Sequence, residues 1–361
     1  MHRVCAVALT AVLLTGCASA PEAPPASQPA STTATTTGLL PPGVPTEGSR
    51  PDDHALPPPA EPQQAPPPIL PIQGREVSVG ASPEGVVVDA VSRRVAVAVR
   101  DPNELVLLDA DTGDVTARTA LPGFARHLQV AAPGGPVLVP VESADALVRV
   151  ELPGGQARQQ IVTGTFPHDA AQAGNGTVFV ANEHGGTVAA LRGDDIVKVF
   201  TDSVQPAGLA STGSVMGLLD VRKNDLTIYD TEDLTIVGST PAGDGPTHLV
   251  ADKHGRLIAA DTRGDAIRVF TPLPQPREVA VVEQLGGPYG ITYDATRDRL
   301  WVASSGTNEV VGYDMAQETP REIARIPTVQ NPYTLGVDAA TGTLFVGGVT
   351  AGVLQIIEPQ A

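Results

Sequence analysis

Cysteine is nearly absent from this chain. Its 361 residues include two cysteines, Cys5 and Cys17, and none follows residue 17. The remainder can therefore contain no disulfide, no thiolate metal site and no cysteine nucleophile. A domain formed by these residues must be held together by its apolar core, and the chain is long enough to bury one.

Aromatic residues and lysine are scarce as well. Phe, Trp and Tyr make up 3 % of the sequence, so side-chain packing must depend on Val, Ala, Leu and Ile. Only three lysines occur, and there is no His-Glu-x-x-His, no Gly-x-Ser-x-Gly and no phosphate-binding loop. The usual patterns of zinc proteases, α/β-hydrolases and P-loop nucleotide-binding proteins are therefore missing.

Positive charge is in short supply. Lys and Arg total 23 against 40 Asp and Glu, a net charge of −17, and residues 73–361 alone carry −14. Most of such a surface would repel nucleic acid and anionic lipid headgroups, so we expect no nucleic-acid partner. A neutral or cationic partner is compatible with this negative surface. The negative charge could equally serve solubility alone.

The N-terminus has the pattern of an export signal. A short basic start precedes an apolar stretch from Val4 to Leu14, which is too short to span a bilayer. Leu14-Thr15-Gly16-Cys17 then resembles the bacterial lipobox. The resemblance implies that residues 1–16 are a lipoprotein signal peptide and that Cys17 is lipidated. The protein would then be anchored to a membrane of the cell envelope on its extracytoplasmic side. An ordinary signal peptide, cut after Ala18-Ser19-Ala20, is the alternative.

Residues 17–72 differ in composition from the rest of the chain. Sixteen of the 35 prolines lie between Ala18 and Ile72, together with a Ser/Thr-rich run at 31–37. Such a segment cannot form a packed core, so we predict a disordered, semi-rigid tether that holds a domain away from the membrane. A generic disordered spacer would behave in the same way.

One pattern recurs seven times after residue 80, with copies 39 to 44 residues apart. The copies begin at Pro83, Ala125, Pro167, Pro206, Pro246, Pro288 and Pro332. A period near 40 with four short strands per copy is typical of a β-propeller blade, and no useful helical periodicity appears. The sequence predicts that residues 73–361 form an all-β, seven-bladed β-propeller of four-stranded antiparallel blades, which we expect to be a monomer.

The seventh copy is one strand short. It ends at Ile356-Ile357, whereas Glu76-Val77-Ser78-Val79, ahead of the first copy, has the character of a fourth strand. We expect this N-terminal strand to pair beside Leu354 and to complete the last blade, because a closed ring leaves no exposed sheet edge at the seam.

Two segments carry a family resemblance. Val178-Phe179-Val180-Ala181-Asn182 and Leu300-Trp301-Val302-Ala303-Ser304 resemble the YVTN-type repeat of bacterial surface and periplasmic β-propellers. The resemblance implies the propeller fold. It leaves function open, since related propellers act as binding platforms, adhesins, lactonases or dehydrogenases.

Several aspartates and Trp301, although of types often found in functional sites, are predicted to have structural roles. Asp89, Asp252, Asp294 and Asp338 follow first strands, and Asp109, Asp230 and Asp314 follow third strands. At such turns aspartate accepts hydrogen bonds from the backbone, an explanation we prefer to calcium binding. Trp301 is predicted to be part of the core.

Polar residues at the blade starts and in the loops between second and third strands should share one face of the ring, here called the top face. Four of the seven histidines fall there. The candidate binding residues are Glu84, Arg126, His127, His168, Asp169, Glu183, His184, His248, Tyr289 and Tyr333. Imidazoles and carboxylates around a channel could hold a divalent metal or act as a general base, although polar side chains also simply line a hydrated channel mouth.

Three functions remain open at this point. The preferred hypothesis is a lipid-anchored scaffold or recognition module, without cofactor, whose top face binds a protein or cell-wall partner. The alternative is a metal-dependent lactonase-like or hydrolase-like enzyme with its site in the central funnel, although few carboxylates stand at blade starts. A purely architectural spacer is the third.

Overall fold

A computed structural model describes residues 43–358, and almost all regular structure in this range is β-strand. The predicted signal peptide, the predicted lipidation site Cys17 and the first part of the predicted tether lie outside the described residues. Within residues 43–358, no helix has the length and apolar character needed to cross a bilayer.

The strands, numbered β1–β29 in chain order, form seven sheets. Blade 1 contains β3 (Ala81–Asp89), β4 (Arg94–Arg100), β5 (Glu104–Asp109) and β6 (Val115–Ala120). Blade 2 contains β7 (Gln129–Val130), β8 (Val137–Val141), a 3-10 helix (Glu142–Ala144), β9 (Ala146–Val150) and β10 (Ile161–Val162). Blade 3 contains β11 (Pro167–Gln172), β12 (Val178–Asn182), β13 (Thr187–Arg192) and β14 (Asp195–Phe200), with β1 (Thr46–Glu47) added outside. Blade 4 contains β15 (Pro206–Thr212), β16 (Val215–Asp220), β17 (Asp225–Asp230) and β18 (Ile236–Pro241).

The remaining three sheets complete the ring. Blade 5 contains β19 (Pro246–Ala251), β20 (Leu257–Asp261), β21 (Ala266–Thr271) and β22 (Arg277–Glu283). Blade 6 contains β23 (Pro288–Asp294), β24 (Arg299–Ser304), β25 (Glu309–Asp314) and β26 (Arg321–Pro327). Blade 7 contains β27 (Pro332–Val337), β28 (Leu344–Gly348), β29 (Val353–Ile357) and β2 (Arg75–Ser78).

The four strands of each blade pair antiparallel with their neighbours, β1 being an added parallel strand on blade 3, and the first strands of successive blades lie side by side around a central channel. Second strands such as β20 and β28 are buried along their whole length, because a neighbouring blade covers each face. This double burial explains why they read as unbroken apolar runs in the sequence. The prediction of an all-β, seven-bladed propeller is confirmed.

The ring closes as predicted. β2 pairs antiparallel with β29, and Val77 stands opposite Leu354. The first and last parts of the propeller are therefore joined in one sheet, and Val77 packs with Leu354 and Phe345 against blade 1. The seam has no unpaired inner edge that another chain could extend.

The aspartates at the turns have the predicted structural role. The Asp109 carboxylate accepts hydrogen bonds from the backbone N–H groups of Asp111 and Thr112, and Asp294 does the same for Thr296 and Arg297. Equivalent hydrogen bonds, from backbone N–H groups two to four residues further along the chain, are accepted by Asp89, Asp230, Asp252, Asp314 and Asp338. Trp301, with 7 % of its surface exposed, belongs to the core between blades 6 and 7, which confirms that prediction.

The later part of the predicted tether, residues 43–72, follows the propeller surface instead of projecting from it. β1 adds to blade 3 in parallel with β14, and Thr201 donates its backbone N–H to the Glu47 carbonyl. Ala65 is buried, with 6 % of its surface exposed. Composition alone predicted disorder for these residues, but hydrogen bonds to the blades fix the backbone. We call residues 53–66 the strap.

Candidate functional site

Three histidines from three blades meet over the central channel. The ring centroids of His127 and His168 are 4.2 Å apart, and those of His127 and His248 are 4.4 Å apart in a stacked arrangement. Each stands at a blade start, in blades 2, 3 and 5. Blade 5 is across the ring from blade 2, so these side chains bridge the channel mouth.

Two tyrosines extend this group. Tyr289, at the start of blade 6, packs edge-on against His248 with 4.4 Å between ring centroids. Tyr333, at the start of blade 7, lies 5.8 Å from Tyr289. Five aromatic rings thus follow one another across the mouth, in the order His168, His127, His248, Tyr289 and Tyr333. We call this set the aromatic arc.

A cluster of charged side chains lies at one end of the arc. The Arg126 guanidinium donates from Nε to both oxygens of Glu142, at 2.8 and 3.0 Å. Nδ1 of His168 lies 2.8 Å from Glu142 and 3.5 Å from Glu183. Gln205 donates to the other Glu183 oxygen at 2.8 Å. Glu142 is fully buried, so this network balances its charge inside the protein.

Burial and these charges move the pKa values of the histidines in opposite directions. Burial lowers the pKa of His127 well below its ordinary value, and the charges of His168, His248 and Arg126 add to this effect. Burial likewise lowers the pKa of His248 to about 3. Burial also disfavours a charge on His168, but Glu183 and Glu142 outweigh it and raise its pKa. At neutral pH, therefore, His127 and His248 are uncharged.

Burial and neighbouring charges also shift the pKa values of Tyr289 and Glu142. Burial raises the pKa of Tyr289, and Arg126 only partly opposes this. Burial would raise the pKa of Glu142, but His168 and Arg126 outweigh it and lower the value. The centre of the arc is therefore neutral and aromatic, whereas its His168 end carries compensated charge.

Two cavities adjoin the arc. A channel cavity of about 440 Å³ runs along the first strands, and Asp169 and Gln129 are among its lining residues. A mouth cavity of about 160 Å³ is lined by the aromatic arc from His127 to Tyr333, by Arg100 and Arg126, and by Glu61 and Pro62 of the strap. His127 and His248 border both cavities, so the arc lies between the channel and the strap.

Asp169 lies inside the channel and has a bridging role. Its carboxylate accepts two hydrogen bonds of 3.0 Å from Gln129 in blade 2 and one of 2.8 Å from the Leu209 backbone in blade 4. Burial raises the pKa of Asp169 to about 6, although these hydrogen bonds and His168 oppose the shift. Asp169 therefore joins three blades below the arc.

The structure places most predicted site residues together, but Glu84 and His184 differ from the others in their contacts. Glu84 reaches the mouth cavity but is paired with Arg100 at 2.7 Å. His184 is exposed and stacks on Phe166 with ring centroids 3.9 Å apart, so it stands outside the histidine group.

Sequence reasoning placed the loop of Glu142, between the second and third strands of blade 2, on the top face, but it did not include this glutamate among the candidate binding residues. It missed Glu61 and Pro62, because a proline-rich composition gives no sign of which surface the chain contacts.

Among the described residues, Glu142, His168 and Glu183 have ligating atoms that all lie within 4.8 Å of one another. Two carboxylates and an imidazole are a donor set that Zn²⁺ accepts in proteins. A metal ion would compete with Arg126 and Gln205, which already donate to these carboxylates. The donor types fit a divalent metal only if Arg126 moves away.

Comparison with known proteins identifies the fold but no family. No family model matches the chain, and no curated protein matches its sequence. A chain of hydrazine synthase from Kuenenia stuttgartiensis is 14 % identical, with 80 % of this chain and 99 % of that chain covered at a TM-score of 0.67. Virginiamycin B lyase from Staphylococcus aureus is 16 % identical, with coverages of 80 % and 100 % and a TM-score of 0.63. The propeller domain of Cps50 (Swd1) from Myceliophteria thermophila is 13 % identical, with coverages of 79 % and 99 % and a TM-score of 0.67.

At such identities the likeness is one of fold. The class of the chain is therefore the seven-bladed β-propeller. Its function must be argued from the site itself.

Proposed function

We propose that the chain is a cell-envelope lipoprotein, anchored through Cys17, whose top face binds a protein or cell-wall partner. The observation that carries this proposal is the aromatic arc. Five rings from five blades stand at the mouth of the channel, and the central ones are neutral. Aromatic side chains with polar tips are the residues that contribute most at recognition surfaces.

The surrounding charges favour binding over catalysis. Arg126, Glu142, His168 and Glu183 neutralise one another, and Glu84 is paired with Arg100. A general base needs a free acceptor near the reacting group, and in the part of the chain that the structure describes these carboxylates are already engaged. Nδ1 of His248 is buried without a hydrogen-bond partner in residues 43–358, but with a pKa lowered to about 3 this imidazole is a weak base.

A photo-crosslinking amino acid at position 333 in living cells tests this function. The matched control position is Thr112, an exposed residue in a turn on the opposite face of blade 1. We expect one discrete crosslinked species from position 333 and none from position 112. Equal crosslinking from both positions, or none from either, would contradict binding by the top face.

A metal-dependent hydrolase or lactonase is the second candidate, and the convergence of Glu142, His168 and Glu183 favours it. A divalent metal held there would act as a Lewis acid or would activate a water molecule. The chain's own contribution would be to hold that metal beside the mouth cavity. Elemental analysis of protein purified without chelator separates the two candidates. Stoichiometric metal that is lost in His168→Ala would favour the enzyme, whereas metal-free protein favours the binding module.

A further inference from the structure

The strap contacts four successive blades through its backbone. Arg222 of blade 4 donates to the carbonyls of Asp53 and Leu56, each at 3.3 Å. Arg263 of blade 5 donates to the Pro58 carbonyl at 2.7 Å. The strap therefore follows the top face in the order of the blades. We call the loop residues that bind it, from Arg222 to Asn331, the rim.

Blades 6 and 7 continue the series. Asn308 donates to the Pro66 carbonyl and Gln330 to the Ala65 carbonyl, both at 2.8 Å. The Ala65 N–H donates to the Asn331 side-chain oxygen at 2.9 Å. Asn331 is itself positioned by Asn308 and Thr350, so this part of the rim is preorganised.

These contacts have an unequal balance of donors and acceptors. Four rim side chains donate five hydrogen bonds to strap carbonyls, and one rim side chain accepts a single hydrogen bond from the strap. A proline-rich backbone has the same imbalance, because each proline keeps its carbonyl and lacks an N–H. The rim therefore matches an extended, proline-rich polypeptide, and it recognises carbonyls more than particular side chains.

Local shape supports the match. A Cβ atom added to Gly245 would lie 2.7 Å from the Cβ of Ala60 and 2.7 Å from the Cβ of Arg263, so glycine at this blade start allows the close approach of both the strap and the Arg263 loop. Pro62 faces the mouth cavity with Tyr289 and Tyr333. Proline next to aromatic rings is the usual arrangement where polyproline helices are bound.

We infer that the rim from Arg222 to Asn331, with the tyrosines of the arc, is a binding surface for an extended proline-rich segment of a partner protein. The strap occupies this surface in the free chain, and the partner's segment replaces it. This inference deepens the proposed function by naming the partner's chemistry, and it rests on the top face being the binding face. The partner's segment can bind only after the strap is released. The fraction of chains in which the strap occupies the surface therefore sets the affinity measured for the partner.

A fluorescent peptide with the sequence of residues 53–68 serves as the probe. Ala65→Asp in the full chain places a charge at a buried strap position and should release the strap without touching the blades. Ile69→Asp adds the same charge at a side chain that is 96 % exposed, and it is the matched control. By fluorescence anisotropy we expect the peptide to bind Ala65→Asp about tenfold or more tightly than wild type or Ile69→Asp.

Two further arms complete the test. Adding Asn331→Ala to Ala65→Asp should weaken peptide binding, and a peptide with its prolines replaced by alanine should also bind more weakly. Circular dichroism and the melting temperature verify that each variant is folded. The inference is overturned if folded Ala65→Asp does not bind the peptide, or if wild type binds it equally well.

The state of association decides the source of the segment. Light scattering should show a monomeric wild-type chain. A dimer that Ala65→Asp dissociates would assign the surface to a second copy of the chain and would overturn the assignment to a separate partner. Failure of the peptide test leaves crosslinking at position 333 unaffected, so the two proposals can fail independently.

Discussion

Glu142 shows at the residue scale how a buried charge is accommodated. Its carboxylate has no exposed surface and is held by Arg126 and His168. Glu142→Gln keeps the size of the side chain but removes the charge that compensates these two cations. We expect a loss of about 2–4 kcal/mol in the free energy of unfolding, measured with urea.

The control for this prediction is Glu322→Gln. Glu322 also pairs with an arginine, Arg325, but both side chains are largely exposed, at 43 % and 39 %. Its loss should be below about 1 kcal/mol. Equal losses in the two variants would show that burial does not strengthen the Glu142 cluster.

His168 should make the stability of the protein depend on pH. The unfolded chain binds this proton with the ordinary pKa of 6.5, whereas Glu183 and Glu142 outweigh burial and raise the pKa in the folded protein. The resulting stabilisation is complete below pH 6.5 and is lost as the pH rises through the folded pKa.

Urea unfolding of wild type and His168→Gln at several pH values measures this contribution. The difference in the free energy of unfolding should shrink as the pH rises from 6.5 through the raised pKa of His168 in the folded protein. His127 and His248, whose pKa values are lowered, act in the opposite sense and destabilise the fold as the pH falls below 6.5. A wild-type advantage that grows with pH would contradict the assigned charge on His168.

At the scale of elements, β2 is the strand on which ring closure depends. Val77→Asp would place a charge opposite Leu354, within the apolar cluster that blades 7 and 1 share. We expect a destabilisation of about 1–3 kcal/mol by urea unfolding. Glu76→Ala, at an exposed position in the same strand, should change stability by no more than about 0.5 kcal/mol. If both variants were neutral, β2 would not close the ring.

The sequence predicted β2 and failed for the strap, for a physical reason. A strand that fills a blade must present alternating apolar residues to a neighbour, and Glu76-Val77-Ser78 carries that pattern. The strap is held through its carbonyls, which every residue type possesses. Its proline-rich composition is therefore the same whether it is free or bound, and only the structure distinguishes the two cases.

For the molecule as a whole, the repeat predicted the number of blades, the strand order and the face that each loop reaches. It predicted that His127, His168 and His248 share that face. It did not predict that their rings touch, because contact across the channel depends on side-chain reach and on the channel's width. The role of Glu142 depends on the same closeness, since its partners Arg126 and His168 come from two neighbouring blades.

The charge states of these histidines depend on that convergence of blades 2, 3 and 5 over one channel. They can be measured by nuclear magnetic resonance of the histidine side chains, with His→Gln variants to assign the signals. We predict that His168 titrates above 6.5, His248 near a pKa of about 3, and His127 well below 6.5. Three histidines that all titrate close to 6.5 would contradict a shared, buried site at the channel mouth.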